Sequence, residues 1–556
     1  MEERRLLMAV ALSLLLLTAY SLLFPPARPS PTPSPRPPAG SAAVSPAPPR
    51  ESAPPERARE AAVVPAGPAV ADERERRVEA RSRELSVAFT NRGARLVSWR
   101  LARFADGRGR PEEMVQAAPS GPRPLDLETG DATVDGRLRE ALFKASSQSL
   151  TVPEGGSGTL RFEYAEGDLA ADKEITLSDG GYLVALKASV RRGGRPLGVR
   201  ILWGPGVGNP TPAEREVQGY QPPQGVALVG GSVQRIPAEK LATVRTLEGV
   251  RWAGVESHYF AAIFVPPRER GTVSLGALAL PAHDDDRPGP VPLVSLDMGV
   301  GAEPALLYVG PKDYHVMARA GHQLARVVPV GDWIGPIVVP LISLLRWVHG
   351  HVGNYGWSIV VLTIFINLAM APFRHYSIAN GLRMAKIAPE MKVIQERYRK
   401  VPLMDPKRQQ MQEEMAALYA RHGMSMGTQM LVGCLPLLLT MPFLIAFYRV
   451  LTVSIELRGA PFLWITDLSQ KDPLFLTPVL MGLSMFAMQK MTPTTMDPAQ
   501  QRIMMIMPIV LAGMFLWAPA GLNLYWLASN LCAIAQQALT LRILKGPAPA
   551  AARKRK

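Results

Sequence analysis

The sequence predicts a membrane protein with six transmembrane α-helices, an antiparallel β-sandwich domain outside the cytoplasm and a helical hairpin inside it. Of the 556 residues 47% are hydrophobic, yet the chain carries 62 Lys and Arg and 47 Asp and Glu. Such values are compatible when apolar and charged residues occupy different segments, and the apolar runs lie at the N-terminus and in the last part of the chain. The net charge of +15 indicates contact with anionic lipid, nucleic acid or the ribosome.

The N-terminal residues 1–24 are predicted to form a transmembrane anchor. MEERR is followed by an apolar run over residues 6–24, which is long for a secretory signal peptide and is not followed by a small-residue cleavage site. An uncleaved anchor is therefore favoured over a cleaved signal, and Arg4 and Arg5 place the N-terminus in the cytoplasm. Residues 25–78 are rich in Pro, Ala and Ser and are predicted to be an extended linker.

Residues 79–325 are predicted to form the β-sandwich. Runs such as ELSVAFT and GTLRFEYAEG alternate between apolar and polar residues and are separated by Gly, Pro and Asp. His258, His283 and His315 have no metal-ligand spacing, and the acidic run 284–286 is interpreted as a solvated loop rather than a calcium site. Without a nucleophile motif or a phosphate-binding loop, the domain is predicted to be structural or protein-binding.

The last part of the chain begins with a predicted interfacial helix over 335–352. Leu341, Leu344, Leu345 and Val348 follow the helical spacing of an amphipathic face that lies on a membrane. A transmembrane helix over 353–374 follows, and it carries Thr363 and Asn367 on one face of an apolar stretch. An amide within a bilayer needs a partner or water, so this polar spot predicts a helix contact or a hydrated cavity.

Residues 375–428 are predicted to form a helical hairpin with two facing apolar stripes. The stripes are Ile387, Met391, Ile394 and Tyr398 on the first helix and Met411, Met415 and Leu418 on the second, which Asp405-Pro406 starts. The excess of basic side chains places the hairpin in the cytoplasm. Its predicted contact residues are Arg383, Lys386, Arg397 and Arg399.

Four further transmembrane helices are predicted within 429–544, near 430–451, 474–491, 503–518 and 522–544. With the hairpin inside, the loops alternate so that the basic tail 545–556 is cytoplasmic. The tail ends in Arg553, Lys554, Arg555 and Lys556, which predict a contact with the ribosome or anionic lipid; a role in setting topology alone is the alternative.

The apolar segments contain neutral polar side chains rather than mid-depth charges, whereas coupled transporters generally need ionisable groups there. Both cysteines, Cys434 and Cys532, lie in apolar runs and indicate neither a disulfide framework nor a metal site. Nine methionines between Met481 and Met514 suit a surface that accepts varied apolar partners, or simply fill gaps between helices.

Four long segments resemble the signature of YidC-type membrane protein insertases, relatives of the mitochondrial Oxa family. They are CLPLLLTMPFLIAFY (434–448), APFLWITDLSQKDPLFLTPVLMG (460–482), MQKMTPTTMDPAQQRIM (488–504) and FLWAPAGLNLYWLASNL (515–531). GVRWAGVESHYFAAIFVPP extends the resemblance into the β-sandwich. The resemblance implies the Gram-negative form, with an N-terminal anchor, a periplasmic β-supersandwich and a five-span core in the inner membrane.

The resemblance also implies a function, namely insertion and folding of nascent membrane proteins, alone or with the Sec translocon and the ribosome. It implies no nucleotide hydrolysis, no catalytic residue, no metal or other cofactor, and no DNA partner. A hydrophilic groove open to lipid and cytoplasm receives the client. The implied groove residues are Thr363, Asn367, Trp517, Tyr525, Trp526 and Asn530. The alternative functions are a multispan solute transporter with a periplasmic binding domain and a membrane-anchored periplasmic enzyme.

The chain departs from the family pattern at Asn367. The family usually has a basic residue there, and the nearest one in this chain is Arg374, two helical turns further on. Trp526 likewise replaces a second tyrosine. The substitution suggests the hypothesis that this groove depends on hydration more than on charge attraction.

Overall fold

A computed structural model of the protein describes residues 69–116, 121–279, 289–300, 303–398, 401–402, 405–423, 441–492 and 498–545, with only the backbone for 498–500. The predicted anchor 1–24, most of the linker, the residues 429–440, Arg399, and the tail residues Arg553, Lys554, Arg555 and Lys556 lie outside the described part. Cys434 and the acidic run 284–286 also lie outside it.

The region between residues 77 and 327 is a two-sheet domain, called the β-domain below. Its smaller sheet has five strands: β1 Arg77–Arg81, β2 Leu85–Thr90, β3 Arg95–Ala105, β4 Pro111–Glu113 and β7 Ser149–Thr151. The strand order is β4-β3-β2-β1-β7, and the β1–β7 pair is parallel while the other described pairs are antiparallel.

The larger sheet has fourteen strands: β5 Leu127–Glu128, β6 Lys144–Ala145, β8 Ser157–Glu166, β9 Leu169–Ser178, β10 Leu183–Arg192, β11 Arg195–Leu197, β12 Arg200–Trp203, β13 Gln224–Val229, β14 Ser232–Pro237, β15 Arg245–Glu256, β16 Phe260–Val265, β17 Gly271–Ala279, β18 Pro290–Asp297 and β19 Ala305–Pro311. Its main order is β5-β12-β18-β17-β15-β16-β19-β10-β9-β8-β6. The prediction of a sheet-rich domain is confirmed.

The β-domain core forms where the two sheets face each other. Trp99 of the smaller sheet meets Trp203 of the larger one edge-on at 5.9 Å, and Phe89 meets Phe162 at 5.5 Å between ring centroids. Side chains of β9 alternate between buried and half-buried, which is the period of two that places one face against the core. The inward positions are apolar except for Lys173, whose ammonium donates to two backbone carbonyl oxygens.

Ten described helices accompany the sheets. They are α1 Ala132–Glu140, α2 Pro212–Arg215, α3 Tyr314–Ala320, α4 Gly335–Val352, α5 Tyr355–Arg397, α6 Lys407–Arg421, α7 Met441–Val453, α8 Leu476–Met491, α9 Pro498–Met514 and α10 Ala520–Lys545. Parts of α4, α5, α7 and α10 share a second apolar core that includes Leu345, Leu362, Phe447 and Leu522. This core is separate from that of the β-domain and contains the polar residues described below.

The longest helix, α5, has 43 residues and runs without a break through Pro372 and Pro389. The predicted boundary at residue 374, between the transmembrane helix and the hairpin, falls inside this continuous helix. Among the described residues, α5 is the helix long and apolar enough to cross a membrane, while 441–453 and 501–517 are shorter apolar helices.

The amphipathic helix α4 buries most of its predicted apolar face in the protein. Leu341, Leu345 and Val348 are buried, but Leu344 is 38% exposed and lies beside the exposed Trp347. Because Ile342 is also buried, the buried arc is centred on Leu345 and leaves Leu344 at its edge. The helix therefore presents one apolar face to the protein and a second, smaller one outward.

The C-terminal part of α5 and α6 form an antiparallel pair. Ile387, Met391, Leu418 and Tyr419 are its buried core, with Ile394 and Met415 packed against them. Arg397 pairs with Glu414 at 2.9 Å. Of the predicted stripes, Ile387, Met391, Ile394, Met415 and Leu418 lie in this core. Asp405 accepts the backbone N–H of Lys407 at the start of α6.

Two arginines join the β-domain to the helices. Arg458, in the segment after α7, pairs with Glu112 at 2.9 Å and with Glu214, and both carboxylates are buried. Arg346 of α4 pairs with Asp313 at the start of α3 and with Glu456 at 2.9 Å. The two junctions fix the β-domain against the same end of the helices.

Candidate functional site: a polar strip between two helices

Helix α10 carries neutral polar side chains at regular intervals within an apolar sequence. Ser529, Gln536 and Thr540 follow spacings of seven and four, and Asn530 and Gln537 repeat the spacing of seven. On a helix with 3.6 residues per turn, these spacings give two adjacent polar stripes. Helix α10 is therefore suited to contact two neighbours through hydrogen bonds.

The first stripe faces α5. The amide nitrogen of Asn367 lies 3.5 Å from Ser529 Oγ, Gln536 Nε2 donates to the Ala371 carbonyl at 2.6 Å, and His375 lies 3.3 Å from Thr540 Oγ1. These contacts advance in the same direction along both helices, so α5 and α10 run parallel. We call Thr363, Asn367, Ser529, Gln536 and Thr540 the polar strip.

The second stripe faces α8. Asn530 Nδ2 donates to Ser484 Oγ at 2.9 Å, and Gln537 Nε2 donates to Thr492 Oγ1 at 3.3 Å. Helix α10 is thus the central element between α5 and α8. Asn530 was predicted as a groove residue together with Asn367, but it contacts α8 and not α5.

Asn367 is buried with part of its hydrogen-bonding capacity unused. Thr363 Oγ1 donates to the Ile359 carbonyl at 2.6 Å, and Asn367 Nδ2 donates to the Thr363 carbonyl at 2.7 Å. Asn367 Oδ1 is buried and has no hydrogen-bond partner among the described residues. A buried acceptor without a partner costs about 1–3 kcal/mol, so this oxygen favours the arrival of water or of a donor group.

The predicted aromatic residues divide between two places. Tyr525 is buried and stacks on Phe447 with 4.1 Å between ring centroids, while Trp526 meets Phe515 edge-on at 4.9 Å. Trp517 is 56% exposed, and its carbonyl oxygen accepts the backbone N–H of Gln218 from the β-domain. The structure therefore places Trp517 at the β-domain end of the helices, away from the polar strip.

Sequence reasoning missed Arg374 as a member of this site. Its Nη1 atom is buried without a hydrogen-bond partner in the described part of the chain. The available signal was its spacing of seven from Asn367, which places both residues on one helical face.

The predicted contact residues of the hairpin lie outside the polar strip. Arg383 and Lys386 are exposed, and Arg397 is paired with Glu414. Across the residues that the structure describes, no group of three or more His, Cys, Asp or Glu side chains is arranged to hold a metal ion.

Two family models match the chain. The one described as 60Kd inner membrane protein matches residues 347–547, and the one described as YidC periplasmic domain matches residues 77–344. A solved structure of an active YidC insertase with its first transmembrane domain resolved covers 86% of this chain and 96% of its own, at 17% identity and a TM-score of 0.34.

Curated relatives match over nearly the full length. The membrane protein insertase YidC of Citrifermentans bemidjiense is 32% identical over 545 residues, which are 96% of this chain and 98% of the relative. That of Geobacter metallireducens is 31% identical, covering 96% and 97%. That of Aeromonas hydrophila is 41% identical over 298 residues, covering 53% and 52%. The resemblance inferred from the four segments is confirmed, and the chain belongs to the YidC family of membrane protein insertases.

Proposed function

We propose that this chain inserts other proteins into the inner membrane and helps them fold, without nucleotide hydrolysis. The observation that carries the proposal is the polar strip, a row of buried and half-buried neutral polar groups beside an apolar helical core, with an unpaired and buried Asn367 oxygen. A charged side chain at the bilayer centre costs about 2.5–3.5 kcal/mol on insertion scales, so a hydrated strip lowers the barrier for a polar client segment.

The polar strip is proposed to be one wall of a groove, with apolar helix faces beside it. The polar segment of the client follows the strip, while its apolar segment moves into lipid along the outer surface. That surface offers exposed apolar side chains on α8, α9 and α10, including Leu483, Ile503, Met507, Ile509 and Leu531. Flexible methionines on it suit clients of differing shape.

The proposed topology has six transmembrane helices with both termini in the cytoplasm. The β-domain corresponds to the family's periplasmic domain, so the α5–α6 hairpin, at the far end of α5 from it, lies in the cytoplasm. Proposed partners are nascent membrane proteins, membrane lipids, the ribosome and the Sec translocon. The basic hairpin and tail support the ribosome and lipid contacts.

Reconstitution distinguishes insertion from solute transport. The purified full chain in vesicles is expected to insert a small single-span client without ATP, measured by protease protection, and to show no solute counterflow above empty vesicles. If the vesicles show solute counterflow and insert the client no better than empty vesicles do, the result would instead support the alternative function, a solute transporter.

Substitutions at Asn367 test the strip directly. Asn367→Ala is expected to slow client insertion, because it removes both the donor and the unpaired acceptor, whereas Asn367→Arg is expected to retain it. Insertion by the alanine variant at the wild-type rate would show that Asn367 has no role in the groove.

The tail proposal has its own test. Deleting residues 546–556 is expected to weaken salt-sensitive co-sedimentation with ribosomes while leaving client insertion in ribosome-free vesicles intact. Unchanged co-sedimentation would remove the tail from the ribosome contact.

A further inference from the structure

A polar cleft lies between α3 of the β-domain and α4. Its volume is about 490 Å³, and its lining consists of Ala318 and four polar side chains, His315, Arg319, Ser343 and Arg346. His315 Nε2 lies 3.3 Å from Ser343 Oγ, so the two helices meet at the cleft. Each of the four polar side chains can donate a hydrogen bond, and no described carboxylate lines the cleft. Such a lining favours an anionic ligand.

The two arginines of this cleft have different surroundings. Arg346 pairs with Asp313 and Glu456 through two of its three guanidinium nitrogens, and both carboxylates lie outside the cleft lining. Arg319 is exposed and forms no ion pair with a carboxylate in the part of the chain that the structure describes. Arg346 is therefore fixed in place by the protein, whereas Arg319 has a charge left to pair with a ligand.

His315 lies close to both guanidinium groups. Burial, and after it the neighbouring Arg346, lower the pKa of His315, while Asp313 opposes them and Arg319 adds a smaller lowering effect. The ring is therefore neutral near pH 7 and can donate one N–H to a ligand. Two cations and one neutral donor thus converge on the cleft from two helices.

The outward face of α4 continues from this polar cleft into an apolar surface. Around the helix the outward side chains follow the order Arg346, Ser343, Trp347 and Leu344, so polar and apolar residues occupy adjacent strips. Trp347 and Leu344 are exposed. Tryptophan prefers the boundary between lipid headgroups and hydrocarbon, and a phospholipid divides in the same way into a charged headgroup and apolar chains.

We propose that this cleft binds the phosphodiester of an anionic phospholipid in the leaflet on the β-domain side, with the acyl chains against Trp347 and Leu344. The phosphodiester carries one negative charge, which balances the unpaired Arg319, and its oxygens accept hydrogen bonds from the lining side chains. A zwitterionic headgroup fits less well, because its ammonium would lie beside two guanidinium groups. The inference goes beyond client insertion and does not depend on it.

Photoactivatable lipids test the proposal in vesicles that contain the full chain. One probe is phosphatidylglycerol with a photoreactive group beside the glycerol that carries its acyl chains, and the other is diacylglycerol with the same chains and the same group. The vesicles are otherwise phosphatidylcholine, and peptide mass spectrometry maps the crosslinked residues. We expect the phosphatidylglycerol probe to label residues 314–320 and 339–347, and the diacylglycerol probe to label them at about one tenth of that level or less.

Variants of Arg319 isolate the charged contact, because this side chain is exposed and its replacement leaves no described carboxylate without an ion-pair partner. Arg319→Glu is expected to reduce phosphatidylglycerol labelling at the cleft about 10-fold, and Arg319→Lys is expected to retain most of it. Labelling of the exposed Ile509 on α9 is expected to stay unchanged and is the internal standard. Arg326→Glu, at an exposed position outside the cleft lining, is the matched control and is expected to leave the labelling unchanged.

Three results would overturn the proposal. Equal labelling of the cleft by the two probes would show an apolar contact without recognition of the phosphate. Unchanged labelling in Arg319→Glu would show that Arg319 does not pair with the ligand. Loss of labelling on addition of inorganic phosphate at constant ionic strength would assign the cleft to free phosphate rather than to a lipid. These measurements need no client, so each outcome is independent of the proposed insertase function.

Discussion

Arg458 is the residue on which the contact between periplasmic domain and helices most depends. Its guanidinium is only 8% exposed and lies between two buried carboxylates, with the rings of Tyr259 and Phe260 at 5.8 and 5.4 Å. Glu214 is held in place by a capping box with Thr211, so one carboxylate oxygen is committed to α2 and the other faces Arg458. The single guanidinium is therefore the shared counter-ion of two buried carboxylates.

Removing Arg458 is expected to destabilise the protein strongly. Arg458→Met leaves the carboxylates of Glu112 and Glu214 buried without their counter-ion, which is expected to lower the free energy of unfolding by about 3–5 kcal/mol. Arg77→Met, which breaks an exposed pair with Glu79, is the matched control and is expected to lower it by less than about 1 kcal/mol. Urea unfolding of the full chain in detergent, followed by Trp fluorescence, measures both. Similar midpoints for the two variants would contradict the role assigned to Arg458.

His258 lies beside this junction and gives the periplasmic domain a dependence on pH. Its Nδ1 accepts the backbone N–H of Gln221 at 3.2 Å, and its ring meets that of Tyr259 at 4.3 Å. Burial, with a smaller effect of the nearby Lys312, lowers the pKa of His258 to about 4. The folded state therefore binds fewer protons than the unfolded state between pH 6.5 and pH 4.

The stability of the wild type is expected to fall as pH drops from 6.5 to 4, with a contribution from His258 on the order of 3 kcal/mol. His258→Gln keeps an acceptor for Gln221 and removes the titration, so its unfolding midpoint is expected to depend less on pH in this window. Thermal unfolding at half-unit pH steps measures the two slopes. Parallel slopes would show that His258 does not titrate in this way.

At this scale the sequence predicted the polar spot of Thr363 and Asn367 because helical spacing alone places them together. It could not predict that Trp517 lies apart from the strip, because that position depends on a contact with Gln218, which is distant in the sequence.

At the scale of elements, alternation in runs such as GTLRFEYAEG indicated strands, and β8 shows the expected alternating burial pattern. Helical spacing likewise indicated α5 and α4, but not that α5 continues past residue 374 into the hairpin or that Leu344 lies at the edge of the buried arc of α4. Local patterns indicate an element but not its boundaries or its partner.

The α5–α6 hairpin has a small core of its own. Shortening one side chain of that core is therefore expected to destabilise the hairpin alone. Leu418→Ala creates a cavity beside Ile387 and Tyr419. The cavity is expected to lower the local stability of the hairpin by about 2–3 kcal/mol. Hydrogen exchange is expected to rise in residues 384–398 and 407–421 and to stay unchanged in the β-domain. Val393→Ala, at a 58% exposed position on the same helix, is the control and is expected to change little. Exchange that rises equally throughout the protein would contradict a hairpin that opens by itself.

At the scale of the whole molecule, long-range charge pairs connect the parts. Arg458 is 244 residues from Glu214, and Lys471 pairs with Glu216 at 2.6 Å across a similar distance in sequence. No local pattern specifies such pairs, so the attachment of the periplasmic domain could not be predicted from the sequence. The domain is attached at one end of the helices, and the hairpin lies at the opposite end of α5.

Photo-crosslinking of a client during insertion tests the central claim most directly. A photoreactive residue is placed at position 367, in the polar strip, or at position 368, where Leu368 is 63% exposed on another face of the same helix. The polar tail of an inserting client is expected to crosslink to position 367 and not to position 368. Equal crosslinking at both positions, or crosslinking only at 368, would contradict passage of the polar segment along the strip between α5 and α10.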